Sequence, residues 1–281
     1  MLKRYFTLLC TAALATGAAH AQKIAVAKGL KVEMVSNMKM TMSMEMMGQN
    51  IDNNTESTNT TQIELKEVTP SSYLFSNTVT KILVHTSAMG TEMNFDSDKK
   101  EDMDGPMGAS MKPVVNVPQD VLVDKQGKIV EKKGDTGSGG MNDVMNMSGN
   151  MLEGQPYPML VTLPGHSIKT GDVWTDSTGS PATLKSITTY TVKDISRDEV
   201  VLDFTSRVAK KGTITQKAGD QEFQIDLDIA GTVTGTSSYE AATGLLKKND
   251  STSDIKGTMG MMGQSAPMAM KITASSVAKK L

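Results

Sequence analysis

The chain has 281 residues, with 29 basic and 31 acidic side chains and a formal net charge of −2. That balance gives no broad basic surface for nucleic acid or for an acidic membrane, and no segment reaches the ~20 consecutive apolar residues that a membrane-spanning helix needs. One cysteine, Cys10, excludes an internal disulfide, and aromatic residues are scarce (4%) while methionine is abundant (23), so methionine is expected to fill core space.

Residues 1–21 read as a secretory signal. Lys3 and Arg4 form a charged start, Tyr5 to Ala19 is apolar, and Ala19-His20-Ala21 offers small residues for cleavage before Gln22. Cys10 lacks the small residue and the longer apolar run that a lipoprotein signal places before its cysteine. The expectation is therefore an exported protein, periplasmic or extracellular, cleaved near Ala21. Residues 22–281 are long enough to bury a core without disulfides. Removing the signal takes away Cys10, and with it any thiolate metal site or cysteine nucleophile.

The strongest pattern follows. From Met38 to Met47 methionine occupies every second position through Met46, with Lys39, Thr41, Ser43 and Glu45 between. Strand side chains alternate faces, so Met38, Met40, Met42, Met44 and Met46 would share one face of a strand over about residues 30–47. A helix would scatter them. A turn is expected near Gly48 to Asn54, then strands at Thr61 to Val68, Tyr73 to His85 and Thr91 to Phe95. Residues 96–119 read as a loop with a short helix. Asp120 to Asp124 and Lys128 to Lys132 flank Lys125-Gln126-Gly127 as a hairpin.

Residues 134–140 are glycine-rich and read as a linker, and Met141 to Leu152 as a helix. The second half starts near Tyr157. Alternating strands are expected around Val200 to Val208, Phe223 to Val233 and Met268 to Ala274. Met259-Gly260-Met261-Met262-Gly263-Gln264 echoes Met44-Glu45-Met46-Met47-Gly48-Gln49 and hints at two related β-units. The fold expected is mainly β: long antiparallel strands in one or two curled sheets, half-barrel-like, with one or two short helices. The units are a signal at 1–21, a β-rich half at 22–155 and another at 156–281, with the halves free to share one sheet.

Two stretches carry a family resemblance: the ladder with its Met-Met-Gly-Gln turn, and Pro164-Gly165-His166-Ser167-Ile168-Lys169-Thr170-Gly171-Asp172-Val173-Trp174. The pattern Pro, six residues, Gly-Asp-x-Trp resembles the signature of a family of uncharacterised secreted proteins common in Bacteroidota, a domain of unknown function. Asn94-Phe95-Asp96-Ser97 and Thr243-Gly244-Leu245-Leu246 fit its texture. The family has no established activity, so the resemblance implies no catalytic residues. Its long strands look like the half-barrels of periplasmic lipoprotein carriers, a likeness at the level of fold.

Candidate chemistry is sparse. The ladder is read first as a packed or ligand-lining face, with Met38, Met40, Met42, Met44, Met46 and Trp174 as lining candidates. The alternative is a Cu(I)/Ag(I) site at Met40, Met42, Met44, Met46 and Met47, because thioethers suit soft ions. The run Asp96 to Gly105 fails as a calcium loop: with Gly105 at the glycine position, Lys100 and Met111 fall where ligands belong. His85 and His166 have no partner motif. Trp174 is expected to anchor the start of a strand. The function expected is non-enzymatic: binding of a lipid, another apolar ligand or a partner on a methionine-lined face. A periplasmic Cu(I)/Ag(I) buffer is the alternative. No cofactor motif and no determinant of oligomeric state is visible.

Overall fold

The structure is a computed structural model, and it describes residues 24–46, 48–133, 153–161, 164, 167–179, 184–218, 221–261 and 264–281. The expected signal, the 134–140 linker, the Met141–Leu152 helix and His166 fall outside those residues.

Among the described residues, twelve strands form one antiparallel sheet in the order β6-β5-β3-β2-β1-β12-β11-β10-β9-β8-β7, with β4 paired to the second half of β3. The first half supplies β1 (Lys31–Met46), β2 (Gln49–Val68), β3 (Ser72–Ala88), β4 (Thr91–Asp96), β5 (Gln119–Asp124) and β6 (Ile129–Lys133). The second supplies β7 (Val173–Thr178), β8 (Lys185–Ile195), β9 (Glu199–Ala218), β10 (Gln221–Glu240), β11 (Leu246–Met261) and β12 (Gln264–Lys280). The halves meet where β1 pairs β12, from Val32 opposite Lys280 to Met44 opposite Met268. They therefore share one sheet.

Two expectations need correction. The connection after the ladder is not a loop through Asn54: β2 starts at Gln49 and runs 20 residues. Its middle, Asn53 to Thr61, is polar on both faces, so no hydrophobic alternation announces it. Threonine's branched side chain and backbone pairing on both sides hold it as strand. The 96–119 segment holds two short helices, α1 (Lys100–Asp104) and α2 (Pro106–Met111). Their Met103, Met107 and Met111 pack on Ile82, Phe95 and Val115.

The ladder strand alternates. Met40 and Met42 are 3% and 8% exposed, whereas Lys39, Thr41 and Ser43 face solvent. That inward face continues over neighbouring strands and carries two large clusters. One gathers at the end holding the β2–β3 and β10–β11 turns: Val32, Leu65, Tyr73, Phe75, Val121, Ile129 and Tyr157 are among its members. The other lies toward the β1–β2, β9–β10 and β11–β12 hairpin ends and joins Met40 and Met42 to Met268, Met270, Ile255 and Leu227. A flat single sheet would leave such a face open to water. Its burial requires a strong curl, aided by irregular register in β2–β3, β8–β9 and β10–β11.

Glycine permits a close backbone approach between β10 and β11. A Cβ on Gly231 of β10 would lie 2.3 Å from the Asp254 carbonyl oxygen, and one on Gly257 of β11 would lie 2.1 Å from that of Asp228. Only a residue without a side chain allows the two backbones this approach.

The sheet does not close by backbone pairing between its outer strands, β6 and β7. Residues 153–161 span the gap instead. The Ile129 N–H donates to Gln155 O (2.9 Å) and the Gly154 N–H to Ile129 O (2.8 Å), tying the segment to β6. Thr178 Oγ1 of β7 donates to Gln155 Oε1 (2.7 Å), and Lys128 Nζ lies 2.8 Å from Asp176 Oδ1 of β7. Further on, the Leu246 N–H donates to Met159 O and the Val161 N–H to Gly244 O, both at 2.9 Å. The same segment thus plugs the aromatic end of the curl with Tyr157, whose hydroxyl donates to Asn77 Oδ1 (2.7 Å) and whose ring lies 4.7 Å from that of Phe75.

Candidate functional site

The methionine face is the first candidate. Antiparallel pairing puts Met42 directly opposite Met270 and Met44 opposite Met268, while Met40 faces Ile272. Met259 of β11 joins the same cluster. Met38 and Met44 are half-buried at its margins. The side chains of Met46 and Met47 fall outside the described residues. Sequence reading singled out β1 alone. The β12 and β11 methionines belong to the same patch, and the signal for them was the echoed Met-Gly-Met-Met-Gly-Gln turn, which predicts a second methionine hairpin but not its position beside the first.

Methionine is not spread evenly through the interior. Among the 14 buried members of the aromatic-end cluster one is methionine, Met159. Among the 12 of the hairpin-end cluster five are, all on β1, β11 and β12. Among the described residues, buried methionine is thus concentrated in the hairpin-end cluster relative to the aromatic-end one, with Met103, Met107 and Met111 of the helices packing separately. Unbranched, polarizable side chains can refill an irregular space more readily than leucine or isoleucine.

Trp174 sits on β7, half-buried against the cluster of Val161, Ile168, Val192, Val200 and Leu202. Its ring stacks on Tyr190, with centroids 5.2 Å apart. It lies at the aromatic end of the curl, on another strand from the ladder and in another cluster. Gly171 takes φ +88°, and the Asp172 carboxylate accepts the Lys169 N–H (2.9 Å), a turn that feeds the chain into β7. Trp174 Nε1 and Asp176 Oδ2 are buried without hydrogen-bond partners.

The polar face carries further titratable groups. Lys39 Nζ, 2.8 Å from Glu56 Oε1, holds that carboxyl below its ordinary range. Next to Glu56 in the same row, the exposed His85 ring donates through Nδ1 to Asn94 Oδ1 (2.7 Å). These residues border an open cleft of about 450 Å³, and a second of about 480 Å³ shares Asn37 and Lys39 and is lined mainly by Ser and Thr. The first also touches Met38, Val84 and Phe95, whereas the second has no methionine in its lining. The acidic run 96–105 is used internally: Asp102 Oδ2 accepts the Asp96 N–H, and Asp104 pairs with Lys100 and Lys112. Among the described residues no three His, Cys, Asp or Glu side chains gather to hold a metal ion. No helix among them is long and apolar enough to cross a membrane.

Residues 140–246 match a family of unknown function (DUF6263), a span of less than half the chain. Comparison with curated proteins gives no match. Among solved structures, the chain is similar to lipovitellin, in a structure describing its lipid–protein interactions. Identity is 10% and the TM-score 0.49, over 91% of this chain and 25% of that one. The chain thus spans about a quarter of the lipovitellin chain. It is also similar to an outer membrane channel from Pseudomonas putida F1, with 8% identity and a TM-score of 0.27 over 92% of this chain and 98% of that one. Pseudomonas aeruginosa OccK7 gives 8% and 0.28 over 90% and 100%. At these scores none bears on what this chain binds.

Proposed function

We propose that the chain is an exported, non-enzymatic envelope protein that takes up an apolar ligand, a lipid acyl chain being the class best matched, on the methionine-lined face of its curled sheet. The observation that carries this reading is the segregation of methionine: five of the buried residues at the hairpin end are thioethers, at the end remote from the Tyr157 plug. A core of Leu, Ile and Val packs in one arrangement, whereas methionine can shift to admit a guest. The side-chain seam between β6 and β7 supports the same reading, because a sheet not locked into a barrel by backbone pairing can widen. Export rests on the leader-like residues 1–21.

The test is native mass spectrometry of the protein purified from its own source, followed by titration of the delipidated protein with a fluorescent fatty acid. The expected result is a co-purifying lipid and saturable binding that weakens when Met42 and Met270 are both changed to Phe. Absence of both co-purified lipid and saturable binding refutes the reading.

A further inference from the structure

We infer that Met42 and Met44 of β1 together with Met268 and Met270 of β12 form a thioether site for a soft univalent metal ion, Cu(I) or Ag(I). This does not depend on the apolar-ligand reading. It rests on register rather than on the repeat of methionine in one strand. Within β1 alone, same-face residues lie about 6.6–6.8 Å apart in a row, a poor set for one ion. Pairing with β12 converts the row into a rectangle. Met42 stands opposite Met270 and Met44 opposite Met268, and directly opposed Cβ atoms lie about 4.5–5.5 Å apart.

All four side chains point to the same face, since Met42, Met268 and Met270 are buried in one cluster and Met44 packs at its margin. From corner to centre the rectangle measures roughly 4 Å. Each sulfur stands two bonds beyond Cβ, and a metal–sulfur bond adds about 2.3 Å. The four thioethers therefore reach a common point above the sheet with length to spare, and their three free torsions let them turn toward it.

The donor set decides the ion. Thioethers are neutral and soft, so they suit Cu(I) and Ag(I) and offer little to Zn(II) or Mg(II), which need thiolate, imidazole or oxygen ligands. No grouping of three His, Cys, Asp or Glu residues stands among the described residues to bind those harder ions instead. The position also suits uptake. Met44 is half-buried while Met268 opposite it, Met42 and Met270 are buried, so the four sulfurs meet solvent from the β1 side, at Met44.

The experiment titrates the full chain with silver nitrate in chloride-free buffer and follows methionine methyl signals by NMR, with native mass spectrometry for stoichiometry. One Ag(I) per chain is expected, with shifts at Met42, Met44, Met268 and Met270 and none at Met159 or Met103. The quadruple change of these four to Leu roughly conserves volume, should stay folded, and should bind Ag(I) at least a hundredfold more weakly. Zn(II) should move none of the four signals. No stoichiometric binding overturns the inference, and so does binding that instead tracks the exposed Met89 and Met93. A folded quadruple variant that binds like the parent overturns it too. Should that variant fail to fold, the methyl shifts of the unaltered chain decide the matter. Lipid binding without Ag(I) binding would leave the apolar-ligand reading standing and remove this one.

Discussion

Met42 and Thr41 are adjacent on β1 and face opposite sides of the sheet, so truncating each to Ala isolates the value of the inward face. Met42 is 8% exposed and belongs to the cluster that joins β1 to β9 through β12. Removing its buried atoms from a packed interior costs about 2–5 kcal/mol, the spread reflecting how far neighbours collapse into the space. Methionine neighbours collapse readily, which places the expected loss near the lower end, about 2–3 kcal/mol. For a domain of this size that is a fall in Tm of roughly 4–12 °C. Met42→Leu should cost less than about 1.5 kcal/mol. Thr41 is exposed and opposes Asn54 and Lys271, so Thr41→Ala should stay within about 0.5 kcal/mol. The cross-strand partner gives a second check: Met42→Ala and Met270→Ala share one cavity, so their effects should be non-additive by about 0.5 kcal/mol or more. Urea unfolding followed by circular dichroism reads all of these. Equal, small losses for Met42→Ala and Thr41→Ala, or strict additivity with Met270→Ala, would refute the packing argument.

Tyr157→Phe should lower stability by about 1–3 kcal/mol in urea melts, because Asn77 Oδ1 loses the hydroxyl that donates to it inside the plug. Asp176→Asn should cost about 1–2 kcal/mol through the partly exposed Lys128 pair, and adding Lys128→Met should cost little more if the two act as a unit. Acid should destabilise the fold. Hydrogen bonds from Lys280 and Thr243 lower the carboxyl pKa of Glu240, and those from Ser238 and Lys247 lower that of Glu199. A lowered folded value means stability that is complete above the ordinary pH 4.5 and is lost as pH drops through the folded value, so Glu240→Gln should flatten the acid limb of a stability–pH curve. At the alkaline end the sign reverses. Burial raises the Tyr157 and Tyr239 hydroxyls above their ordinary pH 10, so stability should fall as pH climbs past that value.

Much of this fold is written as alternation. The ladder, Phe223 to Val233 and Met268 to Ala274 each carry one apolar and one polar face, and each lies within an observed strand. Where alternation fails, so does legibility. The middle of β2 is polar on both faces: its inward Asn53 and Thr55 stand opposite Met42 and Met40 on one side, and Thr55 contacts the Thr86 hydroxyl (3.2 Å) on the other. The candidate site divides in the same way. The β1 methionines were visible because they repeat locally. Their pairing with the β12 methionines was not, because register between strands more than 200 residues apart is set by turns and by the curl of the whole sheet. The seam was equally hidden: Lys128, Gln155 and Asp176 have no pattern in the chain and meet only when the sheet bends far enough to bring its two outer strands together.

The pairing of β1 with β12 sets the order in which the molecule can assemble. Most other neighbours in the sheet are joined by short connections and can form as local hairpins, at modest loop-closure cost. β1 and β12 are the first and last strands of the described sheet and cannot meet until almost the whole chain has been made. Until then β1 has β2 on one side and nothing on the other, with a row of apolar side chains along an unsatisfied backbone edge. Such an edge is a template for another copy of itself. A chain with this topology completes its sheet late, and the interval before β12 pairs is when it is most exposed to association with unfinished copies. The polar alternates Lys39 and Glu45, charged and set into that same strand, are where such an edge needs its protection.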